Sequence, residues 1–151
     1  MKKYLITASA GWGNYKLTSF DDALRNSDIG NYNLVKVSSI LPVATQRVNK
    51  VDIEEGSVLY TAFSSLSSNI SGERISAAVA VGISEDSEEI GVIMELSDKL
   101  DKLQIEDTIK SMVIESMEAR GYKIKEIIIK SQTVVSDGKG YATAFAALAM
   151  W

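Results

Sequence analysis

The chain has 151 residues, 46% of them hydrophobic, which is enough apolar material for one globular domain with its own core. It contains neither cysteine nor histidine, and this excludes disulfides, thiolate or imidazole metal sites, thiol nucleophiles and His-dependent catalytic triads. The net charge of -4 comes from 20 acidic and 16 basic residues scattered along the chain, so no nucleic-acid partner is expected.

The chain opens on two lysines and an apolar run that is too short for a signal peptide and predicts a first strand near Tyr4. A first helix is predicted over residues 20–28, with Ser19 as its N-cap, an acidic first turn and Gly30 beyond its end. Nowhere are there the roughly 18 consecutive apolar residues of a membrane-spanning helix. We therefore expect a cytoplasmic protein without a membrane partner.

A pair of serines follows the next apolar segment. The run Leu34–Val37 predicts a strand that ends at Ser38 and Ser39. Pro42 lies just beyond and changes the direction of the chain. The two serines are therefore expected at a strand end or in a turn.

Three further strands are predicted at residues 58–63, 75–83 and 90–96. The second has an apolar row at every other position, and the alanines between these positions favour close packing on the opposite face. Apolar residues then recur at helical spacing, which predicts a helix over about residues 101–120 with Gly121 as its left-handed cap.

The end of the chain is predicted to form a closing β-hairpin from residues 124–135 and 141–151, because an Asp-Gly turn joins these β-rich segments. The polar stretch from Ser64 to Gly72 is expected to be a mobile loop, and long polar loops of this kind often border functional sites. Together the elements predict an α+β fold: a compact single-domain sandwich with a largely buried antiparallel or mixed β-sheet packed with helices.

In residues 20–42, FDDALRNSDIGNYNLVKVSSILP, a predicted helix, an Ile-Gly-Asn turn and a predicted strand lead into the Ser-Ser pair. This segment resembles the centre of the pyruvoyl-dependent arginine decarboxylases. Further matching segments follow in the family's order: Ser71-Gly72-Glu73, residues 75–83, Gly91–Glu95, Arg120-Gly121 and the alanine-rich end. A Ser-Ser pair alone is not specific, but the ordered set is. The chain departs from the family at Asp22, where glycine is common, and at Val43, where a second proline is common.

The resemblance implies that the chain cuts itself between Ser38 and Ser39 into fragments 1–38 and 39–151. A serine hydroxyl held by a strained turn near an oxyanion donor can attack the preceding carbonyl and convert the amide into an ester. Elimination and hydrolysis then leave Ser38 as a carboxyl terminus and turn Ser39 into a covalent pyruvoyl cofactor. Its ketone would form a Schiff base with L-arginine and accept electrons during loss of carbon dioxide, giving agmatine without pyridoxal phosphate (PLP) or metal.

Glu95 interrupts an apolar run on a predicted buried strand, where a carboxyl group is costly. Burial raises the pKa of a carboxyl group, so Glu95 would stay protonated near neutrality and deliver a proton after decarboxylation. The resemblance places the family's proton donor at this position. From the residues alone, an outward-facing carboxylate at the strand end remains the alternative.

The resemblance also implies two substrate-binding residues, Asp21 for the guanidinium group and Asn33 for the substrate or intermediate near the pyruvoyl group. An aspartate suits a forked cation because its two oxygens accept paired N–H bonds. From the residues alone, Asp21 can equally be a charged residue in the first turn of the helix, and Asn33 can equally be a turn residue. The family further implies a homotrimer, or a multiple of trimers, with active sites between subunits.

Three alternatives remain open on the sequence. The chain could be an uncut, non-catalytic homologue that serves as a binding or assembly subunit. It could decarboxylate another amino acid, because one aspartate does not define a cation pocket. A serine hydrolase that uses Ser39 is the weakest alternative, because no histidine is available as its base.

Overall fold

The computed structural model describes all 151 residues and contains two helices and nine strands. In chain order they are β1 (Lys3–Gly13), α1 (Lys16–Asn26), β2 (Asn33–Lys36), β3 (Ile40–Leu41), β4 (Gln46–Arg47), β5 (Val58–Ser68), β6 (Arg74–Ser84), β7 (Gly91–Asp98), α2 (Lys102–Glu118), β8 (Ile124–Val135) and β9 (Tyr141–Met150). Neither helix is long and apolar enough to cross a membrane. The α+β class predicted from the sequence is confirmed.

The strands form two sheets. The first sheet has the order β2-β5-β9-β1-β4, and the second has the order β3-β7-β6-β8. In the first sheet β9 lies antiparallel to both β1 and β5, whereas β2 pairs parallel with β5 and β4 pairs parallel with β1. In the second sheet β6 lies antiparallel to both β7 and β8.

Apolar packing stacks the molecule in four layers: α1, the first sheet, the second sheet and α2. Alternate residues of β9 and β6, such as Leu148 and Val79, meet between the two sheets. On the other face of β9, Phe145 packs with Ala23 of α1, and on the other face of β6, Ala80 packs against α2. The predicted alternation of β6, with small residues on the helix-packed face, is therefore confirmed.

The first helix differs from its prediction, because it begins at Lys16 rather than near residue 20 and its first turn contains no acidic residue. Ser19 is not the N-cap but lies fully buried inside the helix, with its hydroxyl 2.7 Å from that of Thr143 on β9. Ser19 is buried because α1 packs closely on β1. A Cβ atom on Gly11 would lie 2.1 Å from the Ala23 nitrogen, so only a bare backbone lets the helix pack here.

The predicted closing hairpin is wrong, although both of its strands form. β8 lies at an edge of the second sheet beside β6, whereas β9 lies at the centre of the first sheet. The turn between them carries the chain from one sheet to the other, with Gly138 and Gly140 at φ values of 77° and 149°. The alanine-rich β9 is buried on both faces, which suits a central strand rather than one arm of a terminal hairpin.

The second helix matches its prediction closely. Asp101 caps it by accepting a hydrogen bond from the Gln104 amide at 2.8 Å, and Gly121 adopts the expected left-handed conformation at φ 72°. The predicted polar loop is shorter than expected, because Ser64 and the four residues after it belong to β5. The Ser64 hydroxyl donates to the Leu96 carbonyl at 2.9 Å and so ties β5 to the second sheet.

Candidate active site

Ser38 and Ser39 lie where the chain crosses from one sheet to the other. The Val37 amide still donates to the Thr61 carbonyl of the first sheet at 3.1 Å. The Ser39 carbonyl already accepts from the Ile93 amide of the second sheet at 2.7 Å. The Ser38–Ser39 peptide bond is therefore fixed on both sides, by hydrogen bonds to different sheets.

The surroundings of the two serines differ from those of the other serine pairs. Ser38 is exposed and Ser39 is half-buried. The pairs Ser64-Ser65 and Ser67-Ser68 lie inside the long strand β5. Neither Ser38 nor Ser39 has a left-handed backbone, and the nearest such residue is Ala44 at φ 58°. The predicted turn is therefore a crossing between sheets, without left-handed strain at the serines themselves.

Glu95 approaches this crossing from β7. It lies opposite Val79, whose side chain belongs to the core between the sheets, so Glu95 also faces the space between the sheets. Ile93, which holds the Ser39 carbonyl, is two residues away, a distance of roughly 7 Å along a strand. The Glu95 side chain retains 20% of its exposure. A partly desolvated carboxyl group thus lies near the serine pair.

Lys36 sets the electrostatic environment of Glu95. Its Nζ lies 4.0 Å from Glu95 Oε1 and 4.9 Å from the centre of the Phe63 ring. Burial raises the pKa of Glu95, and the nearby Lys36 ammonium lowers this pKa but does not cancel the rise. The direction agrees with the sequence-based expectation for Glu95. Lys36 was not among the predicted site residues, although it is the one charge in the strand Leu34–Val37.

The two predicted substrate-binding residues lie apart from Glu95. Asp21 is on the exposed surface of α1, where the Arg25 Nε donates to its Oδ2 at 3.2 Å. Asn33 begins β2, and its side-chain amide donates to the Gly56 carbonyl at 2.7 Å. Within one chain, Glu95 thus lies two residues along β7 from Ile93, the hydrogen-bond partner of Ser39, whereas Asp21 makes its ion pair with Arg25 on α1.

An aromatic cluster connects the two regions. Phe20, the neighbour of Asp21, lies 6.2 Å from Phe63 between ring centres, and the Phe63 ring in turn lies beneath Lys36. Phe145 of β9 packs edge-on to Phe20 at 5.7 Å. The position of α1, and with it that of Asp21, is thus fixed against the same sheet that carries Lys36.

Comparison with known proteins gives the family. A family model for pyruvoyl-dependent arginine decarboxylase matches residues 3–151. The chain belongs to this family. A protein named pyruvoyl-dependent arginine decarboxylase from Methanococcus aeolicus is 40% identical over 146 residues, covering 97% of this chain and 87% of the relative.

Two further relatives carry the same name. The protein from Pyrococcus furiosus is 39% identical over 146 residues, covering 95% of this chain and 92% of the relative. The protein from Methanocaldococcus jannaschii is 36% identical over 146 residues, covering 97% of this chain and 87% of the relative. The similarity to the pyruvoyl-dependent decarboxylases thus extends over almost the whole chain and includes the crossing at Ser38.

The pairing of Lys36 with Glu95 generates a first prediction. Lys36→Met should raise the pKa of Glu95 further, because it keeps the apolar stem and removes the cation that favours the ionised carboxylate. The titration of Glu95 can be followed by carbon NMR of glutamate labelled at its side-chain carboxyl group. Lys99→Met is the matched control, because Lys99 pairs with Glu73 at 3.0 Å and should leave the Glu95 pKa unchanged.

The same change has a defined effect on stability. The native pKa of Glu95 lies above the ordinary value of 4.5, so the folded chain binds more protons than the unfolded chain between these two values. Its contribution to folding is most favourable below pH 4.5 and declines as the pH rises through the native pKa. Lys36→Met should extend this decline to higher pH in urea unfolding. An unchanged Glu95 pKa in this variant would contradict the electrostatic pairing.

Proposed function

We propose that this pyruvoyl-dependent arginine decarboxylase makes its cofactor by cutting its own chain between Ser38 and Ser39. The Ser39 Oγ attacks the Ser38 carbonyl carbon, the C–N bond breaks, and an ester joins the two residues. Loss of a proton from the Ser39 Cα and cleavage of its Cβ–O bond then release the Ser38 carboxylate. The dehydroalanine that remains tautomerises to an imine, and one water molecule hydrolyses this imine to a pyruvoyl group at position 39 and ammonia.

One observation carries this proposal: the chain changes sheets at Ser38, with Val37 held by one sheet and the Ser39 carbonyl by the other. Because both sides are fixed, the Ser39 hydroxyl samples few positions relative to the Ser38 carbonyl, and proximity of this kind favours an intramolecular attack. The two ends also stay in place after the cut. Fragment 1–38 keeps its pairing of β1 with β9 and of β2 with β5.

The site suits a ketone cofactor and an amine substrate. A pyruvoyl group supplies an electron sink, which accepts the electrons of the bond that breaks when carbon dioxide leaves. Accommodating these electrons is the difficult part of decarboxylation. Ser39 is accessible enough to receive a substrate, and its carbonyl is oriented by Ile93. Glu95 then holds a proton for the substrate α-carbon, and burial favours its protonated form. The relatives' names give arginine as the substrate.

Asp21 and Asn33 are proposed to bind the substrate. The Asp21 carboxylate is exposed and can accept paired N–H bonds from a guanidinium group. The Asn33 amide nitrogen is bound to the Gly56 carbonyl, so the side chain is oriented while its oxygen is left as an acceptor. Since Asp21 does not contact Glu95 within one chain, we propose that a neighbouring subunit supplies one of them to each active site.

The oligomer is proposed to be a homotrimer in the cytoplasm. β2 is an edge strand that leads directly to the serine pair, and its Val35 lies opposite Tyr60 of β5. These two side chains are 45% and 43% exposed, which is unusual for paired apolar residues of a sheet. A second copy that covers this edge would bury them. The number of copies rests on the family resemblance alone.

The cut itself is the second prediction. Purified protein should separate under denaturing conditions into fragments 1–38 and 39–151, with the larger one lacking a free amino terminus. Ser39→Ala should remain at full length, because no hydroxyl is left to attack. Intact mass spectrometry measures both outcomes. Ser65→Ala is the matched control and should be cut normally, since Ser65 belongs to a serine pair inside β5. A wild-type chain that stays uncut would favour the non-catalytic alternative.

The third prediction separates cutting from catalysis. Glu95→Gln should be cut normally but should release carbon dioxide from arginine roughly 10²- to 10⁴-fold more slowly, because an amide cannot supply the proton. Asp21→Asn should instead raise the KM for arginine and leave the proton donor in place. Release of labelled carbon dioxide measures both. Near wild-type turnover in Glu95→Gln would exclude Glu95 as the donor.

The fourth prediction concerns assembly. Sedimentation at micromolar concentration should show a trimer, and Val35→Glu should weaken it by placing a charge on the exposed edge of β2. Leu103→Glu is the control, because Leu103 is 73% exposed on α2 and far from this edge. A wild-type monomer, or equal sedimentation of both variants and wild type, would contradict the proposed interface.

A further inference from the structure

The carboxylate proposed to bind the substrate already holds a guanidinium group from its own chain. The Arg25 Nε donates to Asp21 Oδ2 at 3.2 Å, across one turn of α1. Both side chains are more than half exposed, at 59% for Arg25 and 58% for Asp21. Arginine from solution would therefore meet an Asp21 that is occupied by the same chemical group.

Asp22 offers Arg25 a second and better fixed partner. The Arg25 Nη2 donates to Asp22 Oδ1 at 2.9 Å. The other oxygen of Asp22 accepts the Trp12 backbone amide at 2.9 Å and faces the Asn26 amide at 3.5 Å. The Asp22 side chain is only 23% exposed. Asp22 is thus oriented by β1, whereas Asp21 lies open to the solvent.

The close packing of α1 on β1 makes this arrangement possible. A Cβ atom on Gly11 or Gly13 would lie 2.1 Å or 2.6 Å from atoms of α1, so the helix lies directly on the backbone of β1. This contact brings Asp22 within hydrogen-bonding distance of the Trp12 amide.

We propose that Arg25 is a specificity-determining residue that occupies Asp21 in the absence of substrate, and that Asp22 retains Arg25 when the substrate guanidinium group takes its place. The proposal rests on the proposed role of Asp21 in arginine binding. The forked guanidinium of Arg25 bonds to each carboxylate through a different nitrogen, so it can release Asp21 and keep its bond to Asp22.

The charges of the three residues explain the selectivity that follows. Two carboxylates and one guanidinium group carry a net charge of about -1, so one further cation neutralises the cluster. A substrate with a neutral side chain gains no such pairing, and Arg25 stays on Asp21. Arg25 thus selects for substrates whose cation can replace its own guanidinium group on Asp21.

Steady-state kinetics on the cut enzyme test the proposal. Arg25→Met should lower the KM for arginine by up to about five-fold, the range expected for loss of an exposed competing ion pair, with kcat unchanged. Asp22→Asn should raise KM, because Arg25 then binds Asp21 alone. In the Arg25→Met background, Asp22→Asn should raise the KM for arginine much less. A general effect of charge would instead raise KM equally in both backgrounds.

A second measurement observes Arg25 directly. In protein labelled with nitrogen-15 at arginine, unlabelled agmatine should shift the Arg25 Nε–H signal as the bond to Asp21 breaks. The Asp21→Asn variant should show no such shift, because the bond is already lost.

The outcomes distinguish the two proposals. If the wild-type enzyme releases carbon dioxide from arginine and Asp21→Asn raises KM, an unchanged or raised KM in Arg25→Met overturns the role of Arg25 alone. A Nε–H signal of Arg25 that agmatine does not shift would do the same. If the wild-type enzyme releases no carbon dioxide from arginine, the proposed function fails, and the role of Arg25 fails with it.

Discussion

The crossing of the chain from one sheet to the other at Ser38 is the constraint on which the rest of the site depends. Hydrogen bonds to Val37 and Ser39 fix the two sides of this residue to different sheets. Each sheet is held by its own helix and by the core between the sheets, so the crossing cannot relax without disturbing several layers. A bond placed at this position can be cut while both new ends remain in the folded molecule.

Lys36 and Glu95 form an ion pair beside the same crossing, and the proposed cut would place them in different fragments. Lys36 belongs to fragment 1–38 and Glu95 to fragment 39–151, yet their charged atoms lie 4.0 Å apart. Burial raises the pKa of Glu95, and the Lys36 ammonium lowers it in part. After the proposed cut, the shorter fragment would therefore do more than bind substrate, because its Lys36 would also lower the pKa of the proposed proton donor.

Local patterns predicted most of the elements but not how distant elements meet. The alternation of β6 and the apolar spacing of α2 depend on a few neighbouring residues, and both predictions were right. The packing of α1, which buries Ser19, depends on Gly11 of β1, and the place of β9 depends on pairing with β1 and β5, so local cap and turn signals were misleading there. The ordered motifs indicated Ser38, Ser39 and Glu95, whereas the role of Lys36 depends on a contact between sheets. A linear sequence does not display that contact.

Reductive trapping shows directly whether position 39 carries the reactive ketone. The enzyme would be incubated with arginine radiolabelled outside its carboxyl group and then treated with borohydride. Borohydride reduces the Schiff base between an amine and a ketone to a stable secondary amine. Label is expected on fragment 39–151 only, and none on the uncut Ser39→Ala chain. Label on fragment 1–38, equal label on Ser39→Ala, or no label on wild-type protein that turns over arginine would contradict a reactive ketone at position 39.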